Sequence, residues 1–163
     1  MSILEFCTLL DKSEFAINIR ESSVLFPLIE GTHLLGLGLS VGLIIVMDLR
    51  LAGLIMRKRS ASEVWVQLFP WMMSGFAAMF VTGALLFWSH ALAAYSSFAF
   101  RTKLILLALS GLNAAFYHMT VYRRRSEWDS DLVPPAGARF AGYTSLILWA
   151  GIIAMGRIMA YSF

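Results

Sequence analysis

The stretch 25–50 constrains this chain most. It is an apolar run of membrane-spanning length that carries Glu30 and His33 one helical turn apart, then several glycines, then charge. An ionisable side chain inside a lipid-spanning helix is costly unless it faces the bundle interior and finds a partner there. Residues three apart share a helix face, so Glu30 and His33 are read together. Gly36 and Ser40 continue that face toward the far end of the span. The rest of the chain is expected to be built around whatever this face meets.

The other segments repeat the pattern. The chain has 163 residues, of which 59% are apolar and only 14% charged. A soluble domain is about a quarter charged. One domain fits the length. Cys7 is the single cysteine, which excludes an internal disulfide and a cysteine-based metal site. The net charge of +3 comes from basic residues in loops between apolar spans, which points to membrane orientation rather than to nucleic acid. Residues 1–20 include Glu5, Asp11 and Glu14 and lack a basic start before an apolar core, so no cleavable signal peptide is expected.

In chain order, Ser2 and Glu5 have capping-box spacing, and Ile3, Phe6, Cys7 and Leu10 form a helical stripe. Residues 1–21 are too polar to span and are expected to lie on the membrane surface as an amphipathic interfacial helix. Residues 22–163 are expected to form the transmembrane domain. Span one covers about 22–50, with Ser22 or Ser23 as cap and Pro27 in its first turns. Span two lies in the uncharged stretch 64–100, which holds one helix and an apolar loop, with Pro70 near its start. Span three is read as 102–122, flanked by Arg101 and Lys103 at one end and Arg123, Arg124 and Arg125 at the other. Span four is read as 139–161. The expected fold is all-α: an up-and-down four-helix transmembrane bundle with an N-terminal amphipathic interfacial helix.

Charge sets the expected orientation. The loops after spans one and three hold eight lysines and arginines, and the opposite side holds four. Both termini then face outward and the two basic loops face the cytoplasm.

Depth decides which polar groups could meet. His33, counted from the start of span one, and His118, counted from the end of span three, come out within several ångströms of one level, inside the reach of helix tilt. His90 falls near the outer rim. Two histidines on different spans at one depth are what a six-coordinate haem requires. Gly36 and Ser40 beside His33, and Gly111 and Ala115 beside His118, would leave a bare slot for a flat macrocycle. Arg157, with Arg101 or Lys103, would meet the propionates. The plainer alternative is that each histidine hydrogen-bonds between helices and the small residues only pack them. Glu30 and Arg157 are expected at similar depth, as an ion pair joining spans one and four. The functional alternative gives Arg157 a propionate and lets Glu30 move protons for a quinol. Asp48 is expected to pair with Arg50. Copper is a further candidate, through Met155 and Met159 or through Met72, Met73 and Met79. No phosphate loop, zincin motif or serine nucleophile elbow occurs.

The residues Glu30-Gly31-x-His33, Asp48-Leu49-Arg50, Pro70-Trp71, Thr82-Gly83, Phe100-x-x-Lys103, Asn113-x-x-x-x-His118 and Gly156-Arg157 resemble an uncharacterised bacterial family of four-span inner-membrane proteins. The resemblance runs from about residue 20 to 161 and implies a topology, with no assigned activity. More loosely, the layout is similar to four-helix b-type cytochromes and to the copper-resistance D membrane domain. With three histidines rather than four, one haem is the ceiling.

The expectation from sequence is therefore a b-type cytochrome-like electron-transfer subunit in the bacterial inner membrane. It would bind one haem b through His33 and His118 between spans one and three, and pass electrons between quinone and a periplasmic or membrane redox partner. Two alternatives stand beside it: a cofactor-free anchor or assembly subunit of a larger membrane complex, and a copper-handling membrane protein.

Overall fold

A computed structural model describes residues 2–161. Two short helices open the chain, α1 (Ile3–Asp11) and α2 (Glu14–Glu21). Ser2 and Glu5 form the capping box that their spacing predicts, each side chain taking the other residue's backbone N–H. Ser13 caps α2 by accepting the Ala16 N–H.

Four helices are long and apolar enough to cross a membrane. They are α3 (Leu25–Leu51), α4 (Ala61–Ser89), the helix that begins as α6 (Phe98–Phe116), and α7 (Ala136–Ala160). A short α5 (Ala91–Ser96) joins α4 to α6. Pro70 lies inside α4, which continues through it. Gly53 takes a φ of +75° just past the end of α3, a left-handed position that suits glycine at a helix C-terminus.

The third span begins four residues earlier than the flanking charges suggest. Ser97 accepts the Phe100 N–H and starts α6 at Phe98, so Arg101 and Lys103 lie within the helix. At its other end the regular winding gives way to a π turn over Tyr117–Val121 and a 3-10 segment over Tyr122–Glu127.

The spans run up and down. The loop between α3 and α4 and the loop between α6 and α7 lie at one end, held to each other by hydrogen bonds. The Ala61 N–H donates to the Asp129 carbonyl at 3.2 Å. The Ser62 N–H donates to Asp129 Oδ1 at 2.8 Å. Arg50, with no exposed surface, donates from Nε to the Arg59 carbonyl at 2.9 Å and from Nη2 toward the carbonyls of Asp129 and Asp131. This basic end therefore carries both arginine-rich loops. At the opposite end α1 and α2 pack on α5 and the end of α4. There Arg20 Nη1 meets Asp11 at 3.4 Å and the Ser89 carbonyl at 2.9 Å.

The bundle is not closed. α3 packs along α4, α6 along α7, and α3 against α7, whereas α4 and α6 do not pack along each other. Ring contacts between the two spans lie toward their ends: Phe87 stacks on Phe100 at 5.5 Å, and Trp65 meets His118 edge-on at 4.9 Å.

Candidate functional site

His33 belongs to the α3–α4 contact. Its Nδ1 lies 3.1 Å from the Met79 carbonyl oxygen and 3.1 Å from Thr82 Oγ1. A carbonyl only accepts, so Nδ1 carries the proton and donates. Thr82 in turn donates to the Ala78 carbonyl at 2.6 Å. A side chain on Gly83 would come within 3.1 Å of the His33 ring.

The small residues that follow His33 serve the same contact. A Cβ on Gly36 would stand 2.9 Å from the Gly75 carbonyl oxygen, and one on Gly75 would stand 2.9 Å from both the Gly36 carbonyl oxygen and the Ser40 nitrogen. Ser40 is fully buried and donates to the Gly36 carbonyl at 2.7 Å. Gly36 and Ser40 therefore bring two backbones together and leave no slot for a macrocycle.

His118 sits in the π turn near the basic end, among the rings of Trp65, Tyr117 and Tyr122. His33 meets α4 at Met79, and His118 meets it at Trp65. Those positions are 14 residues apart, about 21 Å of helix. One iron cannot take axial nitrogens separated in this way, so the two histidines do not fit a shared haem. His90 lies at the far end of α4, with Nδ1 2.9 Å from Ser89 Oγ and its ring 5.4 Å from Phe26.

The charged pairings also differ from the sequence expectation. Glu30 and Arg157 are both exposed, and the one ion pair among the described residues joins Arg20 to Asp11. Arg157 instead bonds the Tyr161 hydroxyl at 2.9 Å and lies over its ring. Asp48 does not pair with Arg50, whose donors turn to loop carbonyls. It faces Ser145 of α7. Lys103 points toward α7, its Nζ 3.6 Å from where a Gly156 Cβ would stand. Among the described residues no three His, Cys, Asp or Glu side chains converge as metal ligands. Met79 lies at the level of His33, away from Met72 and Met73.

What the geometry does assemble is a cleft of about 560 Å³ between α4 and α6, floored by α3 and α7. Its α4 wall is ringed by Trp65, Phe76 and Phe80. Its α6 wall has a bare strip of Ala108, Gly111 and Ala114, with Leu104 and Leu107 beyond it, and nothing stands within 4 Å of a Cβ on Gly111. Ala115, one residue on, is exposed. Met72, Met73 and Trp149 add apolar surface. At the basic end of the cleft the lining turns polar, with Asp48, Ser145, Asn113, Tyr117 and His118.

Asp48 and Tyr117 were not legible as a pair, although a carboxylate inside an apolar span signals function on cost grounds alone. Asp48 reads as a neighbour of Arg50 because only Leu49 separates them in sequence; residues two apart point to different faces of a helix. Tyr117 carries no sequence signal beyond its place beside His118.

No protein-family description, curated protein sequence or solved structure matches this chain.

Proposed function

We propose that this is a multi-pass membrane protein that takes a lipid-dissolved amphiphile into the cleft between α4 and α6. One observation carries the reading: two neighbouring spans do not pack along each other and leave a largely apolar cavity between them. Its volume of about 560 Å³ lies in the range of small-molecule sites, which are mostly apolar with a few placed polar groups. The mouth faces hydrocarbon, so a ligand already dissolved in the bilayer can enter sideways. By the excess of basic loop residues, the polar end of the cleft lies on the cytoplasmic side of a bacterial inner membrane, with both termini outside.

Photolabelling tests this. Purified full-length protein in detergent is illuminated with 4-decylbenzophenone and the adducts are mapped by mass spectrometry. Labelling should concentrate on cleft residues of α4 and α6 and fall sharply in Gly111→Trp, whose side chain fills the bare wall. Labelling spread evenly over all lipid-facing helices, unchanged by Gly111→Trp, refutes the cleft as a site.

A second reading, an anchor or assembly subunit, is favoured by the third span. Only 6% of its apolar stretch is buried, against 44% in the first. It predicts that a partner's helix covers α6. The haem b reading is separated from both by a reduced-minus-oxidised spectrum. A six-coordinate low-spin signal lost in both His33→Ala and His118→Ala would restore it.

A further inference from the structure

The geometry points to the ligand's chemistry: an uncharged amphiphile with a flat hydroxylated ring, of the hydroquinone class, whose hydroxyl donates to Asp48 and whose second ring oxygen accepts from Tyr117. This rests on the lateral-cleft reading and deepens it.

Two polar atoms at the closed end of the cleft are the basis. Asp48 is 6% exposed and Tyr117 is 4% exposed. Both line the cleft. Asp48 Oδ2 and the Tyr117 hydroxyl oxygen are buried and lack a hydrogen-bond partner. Leaving such groups unmet is costly, and more so in hydrocarbon, where no water substitutes. Two of the neighbouring polar groups have partners. The Asn113 amide donates to the Ala141 carbonyl at 3.0 Å. Ser145 faces the Asp48 carboxyl, and the His118 ring is packed among three aromatic rings. The two orphans thus offer one carboxyl acceptor and one hydroxyl that both donates and accepts.

The other ligand classes fit less well. No lysine or arginine lines the cleft, so a phosphate or carboxylate head would meet Asp48 unshielded. A metal ion would find a single carboxylate. An ammonium is costly in hydrocarbon as a charge, and once bound it has no lone pair to accept the Tyr117 proton. A ring that carries hydroxyls travels through lipid uncharged and supplies donor and acceptor together. Flatness comes from the walls: aromatic rings on α4 face the bare strip of α6. An alkyl tail would run from the polar end toward Phe80 and Leu104, which line the cleft farther from Asp48.

The test is competition against cleft photolabelling by 4-decylbenzophenone in the purified full-length protein. The competitors are decylhydroquinone, its dimethyl ether, decylbenzene and decylamine. Decylhydroquinone should compete about 10- to 100-fold more strongly than the ether or decylbenzene, the worth of one or two buried hydrogen bonds. Tyr117→Phe and Asp48→Leu should each remove about tenfold of that preference while decylbenzene competes as before. Should Asp48→Leu fail to fold, Tyr117→Phe and the competitor series on the unchanged protein decide the matter. Equal competition by all neutral compounds overturns the hydroxyl assignment while the cleft stands. So does a hydroxyl preference that survives both variants, or decylamine as the strongest competitor. Absence of cleft labelling in the unchanged protein removes the cleft itself, and with it this inference.

Discussion

The two faces of α4 differ in kind. Toward α3 it is notched by Gly75 and approaches so closely that a single added carbon would collide with backbone. Every polar group singled out there is spoken for: His33 by Met79 and Thr82, Thr82 by Ala78, Ser40 by Gly36. Toward α6 it presents aromatic rings to a gap, and the polar atoms at the bottom of that gap are unmet. The comparison teaches that histidine and small residues on an apolar span do not by themselves indicate a cofactor. Whether their hydrogen bonds are already satisfied separates a packing face from a receiving one.

The sharpest way to break this contrast is to enlarge a glycine on each side. Gly75→Leu forces a branched side chain into the Gly36 and Ser40 backbone and should cost about 3 kcal/mol or more. The readout is loss of the monodisperse peak and of the thermal transition in detergent. Gly111→Leu, with open space around it, should keep both within error. Equal damage from the two would mean that the α6 wall is packed.

Arg50→Met comes next. It removes a fully buried side chain that donates to the carbonyls of Arg59, Asp129 and Asp131, and should cost about 2 kcal/mol. Thermal unfolding measures the loss, and limited proteolysis should cut first in the α6–α7 loop. A smaller effect is expected for His33→Leu, about 1 kcal/mol, the scale of one hydrogen bond between transmembrane helices. His118→Leu should barely move the midpoint while shifting the emission of Trp65.

The smallest effect concerns pH. His90 lies outside the spans, where burial first, and then Arg20, holds its pKa below the ordinary 6.5. The unfolded chain then binds a proton that the folded chain resists. The stability this contributes is present above pH 6.5 and is lost as pH falls toward the folded value. The unfolding midpoint should drop between pH 7 and pH 5.5, and the drop should shrink in His90→Gln. An identical drop in the variant rules His90 out as its source.

The four spans were readable because length and apolarity alone decide them, and the pairing of the two basic loops at one end followed from their charge. The levels of the histidines were not. His33 was counted from residue 22, although α3 starts at Leu25. Counting from the end of span three puts His118 near the level of His33, although it stands beside Trp65, only a turn into α4. Both errors drew the two rings toward one plane. The faces were misjudged for a different reason. Small residues mark where something comes close, but only the fold says whether that is Gly75 of the next helix or a vacancy. Gly36 met the first and Gly111 the second.

The three-sided packing has a mechanical consequence. The chain is two helical hairpins, α3–α4 and α6–α7, joined along one seam where Gly142 lets α7 rest on α3 at Asp48 and Leu51. They are arranged like the covers of a book on its spine. A small rotation at that seam would become a larger displacement at the free edges, which are clasped by Phe87 on Phe100, by Trp65 on His118 and by the Asp129 hydrogen bonds to the start of α4. Asp48 sits on the spine itself. A change in spacing beside its carboxyl would be magnified at the far edges, because displacement grows with distance from the seam.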